Sequence, residues 1–363
     1  MDMEKYKVGI IGATGMVGQR FITLTHNHPW FQLTAIAASP RSAGKRYEDA
    51  VAGRWAMDAP IPDEVKDMVL LSAQDDVARI ASMVDFVFSA VDMKKEEIRA
   101  LEEAYARHEC PVVSNNSAHR WTPDVPMVIP EVNPEHLSVI EAQRRRLGTQ
   151  RGFIAVKSNC SIQSYVPALS PLREFGIEKI LVCTYQAISG AGKTFATWPE
   201  MVDNLIPYIG GEEEKSEQEP LKVWGRVENG VIVNAGGPDI TAQCLRVPVS
   251  NGHTAAAFVT FRNKPTMEQM KEAWAAFRGR PQELNLPTAP KQVLHYFEEP
   301  ARPQARLDRD LEGGMAVSIG RLRPDTQYDY KFVSLSHNTL RGAAGGAVLL
   351  AELLCAEGYI QPK

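Results

Sequence analysis

The sequence predicts an α/β protein: a doubly wound, mostly parallel sheet, followed by an α+β part built on a mixed or antiparallel sheet. Two patterns carry this expectation. Apolar strand-like runs alternate with helical periodicity as far as Lys157. Beyond it, strand-like runs rich in β-branched residues sit between segments of irregular length. The length of 363 residues suits two domains.

Lys7 to Ile11 reads as a short buried strand that runs directly into Gly12-Ala13-Thr14-Gly15-Met16-Val17-Gly18 and then a helix through Phe21, Ile22 and Leu24. A glycine-rich turn between strand and helix presents helix N-terminal amides to a pyrophosphate, the Rossmann-type arrangement. The spacing is GxxGxxG, and its place at the start of a βα unit is what gives it weight over a simple tight turn. A second strand, Leu33 to Ala38, ends at Ser39-Pro40-Arg41-Ser42. An NAD-preferring site carries Asp or Glu here. Hydroxyls and a cation suit a 2′-phosphate instead, so the cofactor expected is NADP, against the alternative of a solvated basic turn.

The alternation continues through the strand Asp85–Ala90, a helix from Lys94 to His108, and the strand Pro111–Ser114. Asn115-Asn116-Ser117 then falls where open α/β sheets bind ligands. Phe153 to Val156 is a further buried strand, followed by Lys157-Ser158-Asn159-Cys160-Ser161 and apolar residues at helical spacing up to Phe175. A cysteine at a strand-to-helix turn meets unpaired amides and a helix dipole, which lower a thiol's pKa. Those amides, with the Asn159 side chain, suit an oxyanion. The competing expectation is a small apolar residue packed under a helix.

In the second part, Lys179–Tyr185, 230–234, Cys244–Val249, 254–261 and 328–334 read as strands, with one sheet face free for a partner subunit. Ser189-Gly190-Ala191-Gly192-Lys193-Thr194 fails as a Walker A motif because Ala187 stands where Gly is needed. Its glycines still permit close approach to a cofactor. Glu212 opens an acidic helix that reads first as a solvated one. Arg246 and His253 lie on one stretch, 245–253, from which both reach a single cleft: Arg grips carboxylates and His moves protons near neutrality. Residues 282–309, rich in Pro and charge, read as a surface loop or arm. A glycine-rich turn after Asn338 leads into an apolar helix from Ala347 that is expected to pack back on the first part.

Composition removes several classes. A net charge of −4 gives no bulk attraction to nucleic acid or anionic membrane. The start is charged, and no apolar run approaches the ~18 residues a membrane helix needs. Five scattered cysteines without an export signal point to reduced thiols in a cytoplasm. There is no CxxC pair, and His26-x-His28 has no companion ligand, so no metal is expected.

With these pieces in order, the chain resembles the aspartate-β-semialdehyde dehydrogenases of the archaeal and fungal branch. The motifs are GATGMVG, SPRSAGK, SNCS, TYQAISGAGK, GEEEK, RVPVSNGH and HNTLRGAAGG, spread from the first turn to the last helix. The resemblance implies Cys160 as nucleophile, His253 as general acid/base, and Asn159 and Gln186 as positioning groups. It implies Arg246 for the substrate α-carboxylate and Glu212 for its amine, with Glu213 and Glu214 adjoining. Arg120 and Lys215 are implied for the phosphate. Gly12 to Gly18, Ser39, Arg41, Ser42, Ser189, Gly190 and Asn338 are implied for NADP. It implies domains at 1–157 (NADP-binding, completed by the helix of 341–363) and 158–340 (catalytic and dimerisation), and a homodimer or homotetramer. The implied reaction is reduction of aspartyl phosphate through a cysteine thioester. Rival readings are a malonyl-CoA or succinyl-CoA reductase, an N-acetyl-glutamyl-phosphate reductase, or a non-catalytic NADP-binding regulator.

Overall fold

The computed structural model describes residues 4–363. The first sheet is assembled from β1 (Tyr6–Ile11), β2 (Phe31–Ala38), β3 (Leu71–Ser72), β4 (Phe86–Ser89), β5 (Val112–Ser114), β6 (Met127–Val128) and β7 (Ile154–Lys157). Their spatial order is β3-β2-β1-β4-β5-β7-β6 and every pairing is parallel. The order reverses between β1 and β4, the switch point at which open α/β sheets leave a crevice beyond the strand carboxyl ends. α1 (Met16–Thr25) and α2 (Lys95–Arg107) are among the covering helices. Near-continuous apolar strands such as 86–89 and 154–157 are buried at every residue, as a sheet covered on both faces requires.

The second sheet contains β8 (Ile177–Gln186), β11 (Asp239–Arg246), β12 (His253–Phe261), β13 (Leu294–Phe297), β14 (Val317–Pro324) and β15 (Tyr330–Ser336), while β9 (Arg226–Glu228) and β10 (Val231–Val233) form a separate ribbon. Its order, β11-β8-β12-β15-β14-β13, mixes parallel and antiparallel pairs. The strand expected at 244–249 lies earlier, ending at Arg246, because the chain must turn before pairing again as β12. The stretch 282–309 is not only a loop: Leu294–Phe297 pairs with β14 at the sheet edge, so its apolar residues are used despite the flanking prolines. The strand Val317–Pro324 carried no clear alternation to announce it.

β8 and β12 alternate between buried and half-buried residues. Ile180, Val182, Ala255 and Ala257 face the core. Leu181, Cys183, Ala256 and Phe258 form the less covered face, where Tyr185 is 36% exposed. The acidic helix is α3 (Glu212–Val223) and the last helix is α4 (Gly345–Ala356). α4 is buried from Gly345 to Cys355, packed with Val8, Phe21, Ile22, Phe88 and Val113 of the first sheet region. A helix apolar on all sides is stable only when surrounded, and this one is.

Candidate active site

Four strand ends converge on one cleft. β7 ends at Lys157, three residues before Cys160. β8 and β11 run parallel with Gln186 opposite Arg246, so both end at the same edge. β12 runs antiparallel to β8 and begins there with His253. Arg246 and His253 are therefore not on one extended segment, as expected from 245–253. They start or end two strands that flank β8, and the loop between them only reverses direction.

Cys160 Sγ lies 3.5 Å from His253 Nε2. The Ala187 N–H donates to His253 Nδ1 at 3.0 Å. Nδ1 therefore carries a lone pair, and the ring proton is assigned to Nε2, directed at sulfur. Burial first, then Arg246, His337 and Lys157, hold this imidazole well below its ordinary pKa, which keeps it neutral. The Ala187 carbonyl accepts from Arg246 Nη1 at 2.7 Å and from the Gly190 N–H at 3.1 Å. One residue, Ala187, thus orients both the imidazole, through its N–H, and the guanidinium, through its carbonyl.

The helix expected after Cys160 is broken into three short pieces: a 3₁₀ turn over 162–164, a four-residue α turn at Val166–Leu169, and a second 3₁₀ turn over 170–175. No long dipole acts on the sulfur, because Pro167 and Pro171 interrupt a continuous ladder. The thiol is not lowered either. Burial and then the Glu212 carboxylate push Cys160 above its usual range, opposed by Lys157, Arg120 and Arg246. The expectation of a dipole-activated thiolate is corrected on both counts: the helix is broken, and the neighbouring cations only partly offset the rise.

Asn159 is fully engaged. Its Oδ1 accepts from the Ser161 N–H at 2.7 Å, and its Nδ2 donates to Glu212 at 3.0 and 3.2 Å. It therefore orients the turn and the carboxylate. Glu212 also accepts from Gln186 Nε2 at 3.2 Å and from Lys215 Nζ at 2.7 Å. Glu213 instead accepts from Gln243 and the Cys244 N–H, and Glu214 is exposed, so Glu212 is the member of the run that faces the site. Lys215 is tied to Glu212 and does not line the cleft.

Arg120 is buried, donating Nε–H to the Lys157 carbonyl at 3.0 Å and Nη1–H to Glu219 at 2.9 Å. Further donors of the same guanidinium remain, and the residue lines the cleft. Glu219 was not singled out in the sequence, yet it also accepts from the Asn159 N–H at 2.6 Å. Glu212, Ser216 and Glu219 are all buried on α3. Their i, i+4, i+7 spacing was a legible sign of an inward polar face.

The cleft is bounded by Met16, Val17, Asn115, Arg120, Lys157, Cys160, Ser189, Gly190, Asn338 and Gly342. It thus joins the N-terminus of α1 to the sulfur. Gly12 has φ +89°, and a Cβ there would stand 2.3 Å from the Ala90 carbonyl oxygen. A Cβ at Gly18 would stand 2.2 Å from the Gly12 carbonyl oxygen. These two glycines close the turn and seat α1. Gly15 differs: a Cβ there would meet only the Gly12 carbonyl oxygen, at an ordinary 3.7 Å. With no side-chain cap and no acidic residue in the first turn of α1, the leading N–H groups face a space suited to an anion. Ala13, also in that turn, donates its N–H to Ala37, and Thr14 is half-buried. Ser39, Arg41 and Ser42 follow β2 in an exposed turn at the same sheet edge. Asn338 donates to Ser189 Oγ at 2.8 Å and accepts from the Gly252 N–H at 2.8 Å, tying two loops of the cleft wall together.

Gly190 is confined. An added Cβ would approach Arg246 Nη1 to 2.9 Å and His253 Nε2 to 3.1 Å. Gly190→Ala is expected to displace both groups and lower kcat/KM by about a hundredfold, the scale of a small misplacement of catalytic groups. Unchanged steady-state kinetics would show that neither group is held by this loop. His26 and His28 diverge, pairing with Glu64 and Glu352 respectively. Among the described residues no group of three metal-ligating side chains occurs, and no helix is long and apolar enough to cross a membrane.

Comparison with known proteins gives one family throughout. The model described as the semialdehyde dehydrogenase NAD binding domain matches residues 7–140, and that described as the semialdehyde dehydrogenase dimerisation domain matches 169–341. The aspartate-semialdehyde dehydrogenase of Archaeoglobus fulgidus is 43% identical over 356 residues, spanning 98% of this chain and 100% of its own. That of Methanothermobacter thermautotrophicus is 44% identical over 350 residues, spanning 96% and 98%. The crystal structure of the Candida albicans aspartate-semialdehyde dehydrogenase with NADP superimposes with a TM-score of 0.88 at 40% identity, covering 98% of this chain and 100% of that one. The two matching domain models and the full-length similarity agree, and the chain belongs to the aspartate-semialdehyde dehydrogenase family.

Proposed function

We propose that this protein catalyses the reversible, NADPH-dependent reductive dephosphorylation of L-aspartyl-4-phosphate to L-aspartate 4-semialdehyde through a thioester on Cys160, in the cytoplasm, as a step in lysine, threonine and methionine biosynthesis. The observation that carries this reading is Cys160 Sγ 3.5 Å from a hydrogen-bond-donating His253 Nε2, in a cleft that opens on Arg120 and on the N-terminus of α1. The cradle at Gly15 fits a dinucleotide pyrophosphate. Ala13, Thr14, Met16 and Val17 complete that turn, while Ser39, Arg41 and Ser42 suit the 2′-phosphate. Ser189, Gly190 and Asn338 border the nicotinamide end.

Arg246, oriented by the Ala187 carbonyl, holds the substrate α-carboxylate, and Glu212 holds its amine. Arg120 neutralises the departing phosphate. The Cys160 thiolate attacks the acyl carbon, the C–O bond to phosphate breaks, and a thioester remains. Sulfur suits this because it is both nucleophile and leaving group. When bound, NADPH supplies the hydride that reduces the thioester. The C–S bond then breaks, the aldehyde leaves, and the returning thiolate is stabilised by the His253 Nε2–H. The half-buried face of β8 and β12, with Tyr185, supports self-association into a homodimer or homotetramer.

The test offers the purified protein aspartate semialdehyde, NADP and either inorganic phosphate or coenzyme A. NADPH formation driven by phosphate supports the reading. Formation driven only by coenzyme A would transfer the protein to the acyl-CoA reductases. Arg246→Lys replaces a bidentate grip by a point charge and is expected to raise the KM for the semialdehyde about tenfold or more. An unchanged KM would remove Arg246 from the carboxylate site.

A further inference from the structure

Arg120 reaches the cleft from the loop after β5, a strand of the first sheet, yet much of what holds it lies on α3. Lys222 is 2% exposed, and its Nζ donates to three carbonyls of that loop: Arg120 at 2.6 Å, Thr122 at 3.0 Å and Val125 at 3.1 Å. All three protons of the ammonium are spent on backbone. Three residues earlier, on the same face of α3, stands Glu219, 0% exposed. Its Oε1 accepts from Arg120 Nη1 at 2.9 Å, and its Oε2 accepts from the Asn159 N–H at 2.6 Å. α3 is itself fastened to β11, because Glu217 accepts from the Ala242 N–H at 3.0 Å and Glu213 from the Cys244 N–H at 3.2 Å.

One carboxylate thus spans the gap between a cleft-lining guanidinium and the residue that precedes the sulfur. Lys222 fixes the loop's backbone, the Lys157 carbonyl takes the Arg120 Nε–H at 3.0 Å, and Glu219 fixes one Nη1–H. The remaining N–H groups of Arg120 are then aimed by construction at the cleft it lines. In an acyl phosphate the phosphorus and the carbonyl carbon share a single bridging oxygen. A nucleophile and a receptor for the leaving group must therefore keep a matching separation. A long side chain held at one point would not keep it, and a guanidinium clamped at two points does. A carboxylate beside an anion site also repels the anion, so its presence there calls for a geometric reason.

We propose that Glu219 is a positioning residue for the phosphate step: by holding Arg120 with one oxygen and the Asn159 N–H with the other, it sets the distance between the leaving-group receptor and Cys160. This inference rests on the reading of Arg120 in the preceding section as the group that meets the phosphate.

The test compares Glu219→Gln with the wild type in the full-length protein. The amide keeps the size of the side chain but has one acceptor oxygen, so it serves either Arg120 or the Asn159 N–H and turns its NH₂ on the other. Initial rates with aspartate semialdehyde, NADP and varied inorganic phosphate are expected to show the KM for phosphate raised about tenfold or more, with the KM values for semialdehyde and NADP within about twofold of wild type. Glu219→Asp keeps both acceptors on a shorter stem and is expected to fall between. A purely electrostatic role has the opposite sign: removing the negative charge would tighten phosphate, and a lowered KM overturns the proposal. A merely structural carboxylate would reduce thermal stability and move the three KM values together or not at all, and either pattern overturns it. If Glu219→Gln does not fold, Glu219→Asp decides on the same readout, an unchanged KM for phosphate counting against the proposal. Calorimetric titration of inorganic phosphate into the NADP-bound protein, without semialdehyde, separates this inference from the reaction. A wild type that binds phosphate but forms no NADPH defeats the proposed reaction, and the affinity lost or kept in Glu219→Gln then decides the positioning role. A wild type that binds no phosphate overturns that role.

Discussion

Cys160→Ser is expected to fold, to bind NADPH with wild-type affinity, and to lose at least about a thousandfold in kcat, roughly 4 kcal/mol of transition-state stabilisation. The hydroxyl is smaller than the thiol, so the close packing against Gly342, where an added Cβ would lie 3.0 Å from Cys160 Cβ, is not strained. Chemistry is what fails. A hydroxyl ionises far less readily than a thiol. An oxygen ester would also accept hydride less readily than a thioester. Steady-state rates, a cofactor titration and the intact mass after substrate exposure decide the matter together. A variant retaining more than about a tenth of wild-type kcat would remove Cys160 from the nucleophile's position.

The second large effect concerns stability. Arg341, in the turn before α4, donates Nη1–H and Nη2–H to the two oxygens of Glu131, each at 3.0 Å, and Nη1–H to the Met315 carbonyl at 2.6 Å. The side chains are 2% and 1% exposed. This bidentate pair joins the loop after β6 to the segment that delivers α4 to the first sheet. Arg341→Met leaves a carboxylate sealed from water without a partner, and removing one member of such a pair costs about 3–5 kcal/mol. Urea denaturation is expected to show a loss of that size, with much of it recovered in Arg341→Met/Glu131→Leu, since replacing both charges by apolar groups removes the uncompensated ion. A loss below about 1 kcal/mol in the single variant would mean that water or another cation reaches Glu131.

Much of the fold was legible because it is written in local patterns. The glycine turn at 12–18 predicts its own conformation: Gly12 needs positive φ, and Gly18 has no room for a Cβ. The near-continuous apolar strands at 86–89 and 154–157 announce a sheet covered on both faces. The strand at 294–297 was hidden by neighbouring prolines, and its pairing with β14 depends on residues about twenty positions away. The helix expected after Cys160 failed for a local reason that apolar spacing concealed, since two prolines interrupt its hydrogen-bond ladder.

The sequence by itself determined which residue types the chemistry can use: a thiol between Asn159 and Ser161, an imidazole at 253, guanidiniums at 120 and 246, and a glycine cradle at the start. Only the tertiary structure decided their states. Whether a sulfur is lowered or raised, which nitrogen of His253 carries hydrogen, and where the Arg120 guanidinium is held all depend on what surrounds them across long sequence separations. Those surroundings are Ala187, Glu212 and Glu219, brought together by sheet pairing and burial. Electrostatic energies in a water-excluded cleft depend on distance and desolvation, and neither quantity is written in the order of residues.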